Sequence, residues 1–154
     1  MSADDDLIKL YSQRILALAA EIPLTGRLAA PGASARRRSP LCGSTVTVDL
    51  SLDGDRVAAF GQDVRACALG QASAALMGTH AVGRDRAQLF AARDCLAAFL
   101  SGERDDPGDW PGLSVFADAR PFTARHPAIL LAFDAAAEAA AAAAADPSRR
   151  SASR

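Results

Sequence analysis

At 154 residues the chain suits a single domain that can bury one core without a disulfide or metal as an obligatory staple. With 17 basic against 18 acidic residues, nothing in the total charge points to a nucleic-acid backbone or an acidic membrane surface as partner. The opening Met1-Ser2-Ala3-Asp4-Asp5-Asp6 lacks the basic start and apolar centre of a secretory signal, and no later apolar run reads as long and charge-free enough to span a bilayer. A cytoplasmic location is expected, where three cysteines, an odd count, fit metal binding, catalysis or burial better than a structural disulfide.

In chain order, Leu7, Tyr11, Ile15, Leu18 and Ile22 recur at helical spacing and predict an amphipathic helix over 4–21, ended by Pro23 and Gly26. Residues 27–40 carry Pro31-Gly32 and then Arg36-Arg37-Arg38, a loop leading into a short edge strand whose charges discourage edge-to-edge pairing. From Ser44 to Leu52 the alternation is clean: Val46, Val48, Leu50 and Leu52 share one face, and Thr45, Thr47, Asp49 and Ser51 the other. Asp53-Gly54-Asp55 supplies turn chemistry, and an extended pattern resumes over 56–66, so the two segments predict a hairpin. The period then becomes helical, predicting helices over 69–81 and 84–100. Residues 102–112 read as a loop, and Trp110 to Phe116 as a short helical turn burying aromatic area. A last helix begins near Pro127 and enters an alanine tract that Pro147 ends. The order, strands first and helices after, predicts an α+β fold, a small antiparallel sheet of about three strands with helices packed on it. One domain is expected over residues 1–146, with a disordered tail over 147–154.

If Gly54-Asp55 is the two-residue turn, Asp53 faces Arg56, and antiparallel pairing places Cys42 opposite Cys67 at the open end of the hairpin. A single bulge would change their orientation and still leave them close. Cys67 stands at a strand-to-helix junction, where unpaired helix N–H groups favour the thiolate that binds metal and attacks sulfur. The plainer reading of a cysteine is a small buried hydrophobe, and Cys95, beside Leu96 and Phe99, takes it. His126 precedes Pro127 at another helix start, a position for a third ligand, whereas His80 near a helix end reads as an ordinary histidine. No Ser/His/Asp triad, phosphate-binding glycine loop or nucleic-acid motif competes, so an enzymatic role is not expected beyond a sulfur-transfer accessory.

Ser39-Pro40-Leu41-Cys42-Gly43, then a strand, a turn and Ala66-Cys67-Ala68-Leu69-Gly70-Gln71-Ala72-Ser73-Ala74, resembles the NifU/IscU/SufU iron-sulfur cluster assembly scaffolds. Arg125-His126-Pro127-Ala128-Ile129-Leu130 falls where that family carries its third ligand segment. The resemblance implies a scaffold or carrier in which Cys42, Cys67 and His126 bind iron or a labile [2Fe-2S] cluster, with a cysteine desulfurase and apo iron-sulfur acceptor proteins as partners. Two positions depart from the pattern: Ser44 stands where an aspartate is usual, and Pro127 where the third cysteine would be. Three donors remain for a cluster that takes four, with Ser44, a partner, glutathione or solvent as the fourth. The same donors suit zinc in a sulfur-transfer accessory, and a metal-free interaction module of the same fold is the third reading.

Overall fold

The computed structural model describes residues 11–40 and 43–145. Three strands, β1 (Ala33–Arg38), β2 (Thr45–Asp53) and β3 (Arg56–Arg65), form one antiparallel sheet in the order β1-β2-β3. Among the described residues four helices accompany it: α1 (Gln13–Ala20), α2 (Ala68–His80), α3 (Arg86–Ser101) and α4 (His126–Ala145), with 3-10 helices at Leu113–Ala119 and Thr123–Arg125. This is the expected α+β arrangement of a three-stranded sheet with helices packed on it.

The inner face of β2, formed by Val46, Val48, Leu50 and Leu52, is fully buried. Against β1 and β2 lies α4, which also packs on α2 and α3. Its alanines explain how one helix serves so many neighbours. Ala132, Ala135, Ala136, Ala139 and Ala140 are all inaccessible, and side chains this small let backbones approach on several sides at once. The segment Thr123–Ala144 is long and apolar enough to cross a membrane, which corrects the sequence reading that no run qualifies. In this fold 61% of its most apolar stretch is buried, as in a core helix.

Two boundaries differ from expectation. The first helix was expected to run from residue 4, and among the described residues it begins at Gln13, because Ser12 caps it, its Oγ accepting from Ile15 N–H at 3.4 Å. The second is α3, which starts at Arg86 through a capping box. Asp85 accepts from Gln88 N–H at 2.8 Å, and Gln88 accepts from Asp85 N–H at 2.9 Å. Trp110 is buried as expected, donating from its indole to Leu76 O at 3.0 Å and meeting Phe133 edge-on with ring centres 5.6 Å apart. The expected tail over 147–154 lies outside the described residues.

The outer face of the sheet is crossed by residues 24–32. The segment bonds to the free edge of β3, where Gln62 N–H donates to Leu24 O and Gly26 N–H to Gln62 O. It then passes over β3 at Gly61, where a Cβ would come within 2.7 Å of Gly26 O. Across β2 it is fastened at Asp49 and Ser51, before the chain enters β1. Asp49, grouped by alternation with the solvent-facing residues, is completely buried beneath this strap.

Candidate metal centre at the hairpin mouth

The hairpin positions the site. Asp53 faces Arg56 and Leu52 faces Val57, with Gly54 at a φ of +62°, a conformation glycine adopts without strain. At the next step Ser51 faces Ala59, so Ala58 is an extra residue and every later pair is shifted by one. The predicted facing of Cys42 and Cys67 assumed no bulge, and the shifted ladder brings Gly43 rather than Cys42 level with Cys67. Cys42 itself lies outside the described residues. Of the residues on either side, Ser39 N–H donates to Ser44 O at 2.8 Å, and Gly43 N–H to Ser39 O at 2.9 Å. Gly43 has a φ of +71°, which a tight turn here requires.

Across the mouth, Cys67 N–H donates to Ser44 Oγ at 3.3 Å, so Ser44 and the start of α2 are tied together directly. Cys67 is the N-cap residue of α2, with extended backbone, and its side chain makes no capping hydrogen bond. The thiol is half-buried against the edge of the core.

The third residue arrives through helix packing. Gly70 allows the first turns of α2 and α4 to touch, because a Cβ there would lie 3.2 Å from Ala128 O and 2.8 Å from Ala66 Cβ. One turn on, Ser73 donates its hydroxyl to Ile129 O. The two helix starts therefore lie at the same end of the molecule, Cys67 opening one and His126 the other. His126 Nε2 sits 2.9 Å from Ala119 O. A carbonyl only accepts, so Nε2 is the donor in this contact, which orients the ring as a second hydrogen bond orients a metal-binding imidazole.

Among the described residues no three His, Cys, Asp or Glu side chains are grouped closely enough to hold a metal ion. Cys67, Ser44 and His126 contribute one thiol, one hydroxyl and one imidazole nitrogen. Thiol and imidazole donors of this kind are ones that iron and zinc accept, and the second expected thiol, Cys42, lies outside the described residues. The two residues set aside keep their structural roles. Cys95 sits on α3 with its sulfur 3.3 Å from Arg104 Nη1. His80 meets Trp110 edge-on, and burial, helped by the Arg84 charge, lowers its pKa.

Sequence reasoning missed Asp49, the buried carboxylate of the central strand. Arg27 donates to its carboxylate from Nε at 2.6 Å and Nη2 at 3.0 Å, Leu28 N–H at 3.0 Å, and Ser34 donates its hydroxyl. Burial pushes its pKa up, but the bonds from Arg27, Ser34 and Leu28, with the Arg27 charge, outweigh it and hold the group below the ordinary carboxylate range. The available signal was a carboxylate in mid-strand, where aspartate is disfavoured unless something pairs with it.

Comparison with known proteins places this geometry. A NifU-like protein (N-terminal) from Brucella abortus, described as nitrogen-fixing, superposes with a TM-score of 0.87 at 37% identity, covering 92% of this chain and 99% of that one. The chain belongs to the NifU-like family. A candidate iron-sulfur cluster assembly scaffold protein for the SUF system, from the thermophile Fervidobacterium islandicum AW-1, shares the fold with a TM-score of 0.79 at 20% identity, covering 85% of this chain and 96% of that one. A hypothetical protein of known structure does so at 0.68 and 20%, covering 86% and 97%. No family model and no curated protein sequence matches the chain.

Proposed function

We propose that this NifU-like chain is a scaffold or carrier for iron-sulfur cluster assembly that holds iron or a labile [2Fe-2S] cluster as cargo at the hairpin mouth. The observation that carries the reading is the tie between Cys67 and Ser44. It joins Ser44, two residues after Cys42 in the sequence, to the N-terminus of α2, at the end of the molecule where His126 opens α4 with Nε2 against Ala119 O. Cys42, Cys67 and His126 are the proposed protein ligands. A partner or solvent completes the set, and incomplete protein ligation favours release to an acceptor over storage.

A cysteine desulfurase as sulfur source and apo iron-sulfur proteins as acceptors are the partners this role requires. The family's usual aspartate and third cysteine are here Ser44 and Pro127. Ser44 already accepts from Cys67 N–H, so it serves the turn's geometry whether or not it also touches cargo.

Anaerobic reconstitution with iron and sulfide, read by absorption and Mössbauer spectra, tests the proposal. A cluster or bound-iron signal is expected in the wild type and not in a Cys42→Ala/Cys67→Ala variant. Identical spectra from the two would overturn it, and about one equivalent of zinc in protein purified without added metal would redirect it to zinc.

A further inference from the structure

The outer face of the sheet beside the hairpin mouth forms a concavity of about 580 Å³, within the usual range of small-molecule sites. Its floor and walls follow from the register. Arg36, Thr47 and Asp63 lie in one cross-strand row, and Thr45 and Arg65 in the next, nearer the mouth. Arg27 overhangs from the strap, and all six residues line the space. Short threonines on the central strand between long side chains on the edges produce the hollow.

The chemistry of the lining is one-sided. Arg27 spends two of its five N–H groups on Asp49 and is 56% exposed at its side chain, so three donors remain on a guanidinium whose position is fixed. Arg36 has no ion-pair partner among the described residues, and Arg65 shares Asp63 only loosely, at 3.7 Å. Arg38, two residues beyond Arg36 on the same face, faces Thr45 in register and likewise has no acidic partner among the described residues. Three guanidiniums thus line the space, and a fourth, Arg38, stands beside it in the same row as Thr45, against Asp63 and the already satisfied Asp49, an excess of positive charge that a polyanion neutralises. Planar guanidinium forks and threonine hydroxyls are donors matched to carboxylate and phosphate oxygens.

We propose that this concavity binds a small polyanion carrying two or more carboxylate or phosphate groups. The site lies one residue from Ser44 along β2 and two from Cys67 along the chain, so its ligand docks beside the candidate metal centre without sharing its thiols. In the scaffold reading this is a place for an anionic carrier to present cargo, but the binding itself does not depend on that reading.

Calorimetric titration of the full chain with citrate and, separately, pyrophosphate at low ionic strength tests it. At least one should bind, about 10-fold or more weaker in an Arg36→Gln/Arg65→Gln variant and weaker in 0.5 M salt. Arg93→Gln on α3 should change nothing, and circular dichroism should show the double variant folded. Citrate alone binding assigns carboxylates, pyrophosphate alone assigns phosphates, and both assign oxyanions generally. Binding of neither, binding only of polyglutamate, or binding equal in the double variant overturns the proposal. Cys67→Ala should bind the anion as the wild type does, which separates failure here from failure of cluster binding.

Discussion

Two regions of the same sheet are built on opposite principles. Beneath the strap, Asp49 is buried and accepts from two guanidinium nitrogens, a hydroxyl and a backbone N–H, so its surroundings admit one arrangement. At the mouth, the backbone N–H of Cys67 donates to Ser44 Oγ at 3.3 Å, and the half-buried Cys67 thiol itself caps nothing. Stability is concentrated where no cluster ligand is proposed. The side chains with ligand chemistry are held in place by backbone and by their neighbours, with their own donor atoms left for cargo.

The sharpest way to break this contrast is Asp49→Ala. It removes the acceptor of four bonds, leaving Leu28 N–H beneath the strap, and should cost about 3 kcal/mol in urea denaturation. The pH dependence carries the same signature. The folded pKa of Asp49 lies below its unfolded value, so its stabilisation is complete above the unfolded value, about 3.9, and is lost as pH falls through the folded one. Asp49→Asn should flatten that acid limb. A variant as stable as wild type, with an unchanged acid limb, would show that the strap is not anchored by this charge.

Next in size is Gly61→Ala. The added methyl would sit 2.7 Å from Gly26 O and 3.3 Å from the Leu28 side chain, so the strap has to lift. A loss of about 1–3 kcal/mol is expected, with faster hydrogen exchange at Gly26 and Gln62, whose N–H groups fasten the strap to β3. Unchanged exchange at those two amides would place the accommodation elsewhere.

The mouth should respond in the opposite sense. Cys67→Ala deletes a half-buried sulfur with no hydrogen bond of its own in the cap, so stability should fall by less than about 1 kcal/mol. Iron retention after reconstitution should nevertheless be lost. A large destabilisation with cargo binding intact would reverse the assignment of the two regions.

How far the sequence could be read divides along the same line. Alternation over Ser44 to Leu52 and the Asp53-Gly54-Asp55 turn are local signals, and the hairpin, its inner face and the helix that follows were legible from them. The bulge at Ala58 was not, because the residues around it continue an extended pattern and only the partner strand exposes the extra one. The strap was invisible for a related reason. Its fastening to Asp49 joins residues 22 apart, and alternation assigns a face without saying what covers it. At the site, the strand-to-helix junction placed Cys67 correctly. His126 was placed at a helix start by Pro127, but its orienting contact with Ala119 belongs to an intervening 3-10 segment that no periodicity marks. Cys42, the remaining expected ligand, lies outside the described residues.

The smallest effect comes from a second aspartate, on the opposite side of the sheet. Asp134 on α4 is half-buried, and burial, reinforced by the charges of Glu138 and Asp94, raises its pKa despite Arg37 and Arg93. Its sign is therefore the reverse of Asp49. The fold favours the protonated acid, so the contribution is favourable below the unfolded pKa and is lost as pH rises through the folded one. At neutral pH the ionised carboxylate is a cost, and Asp134→Asn should stabilise the protein by less than about 1 kcal/mol, a rise in Tm of no more than about 4 °C. The gain should shrink as pH falls through the raised folded-state pKa, where the wild-type group takes up its proton. A gain independent of pH would mean that packing, not charge, is what the substitution improves. Two aspartates on two faces of one sheet thus separate by sign: the strapped one holds its charge because four donors meet it, and the one on α4 is penalised for its charge because burial outweighs the arginines that surround it.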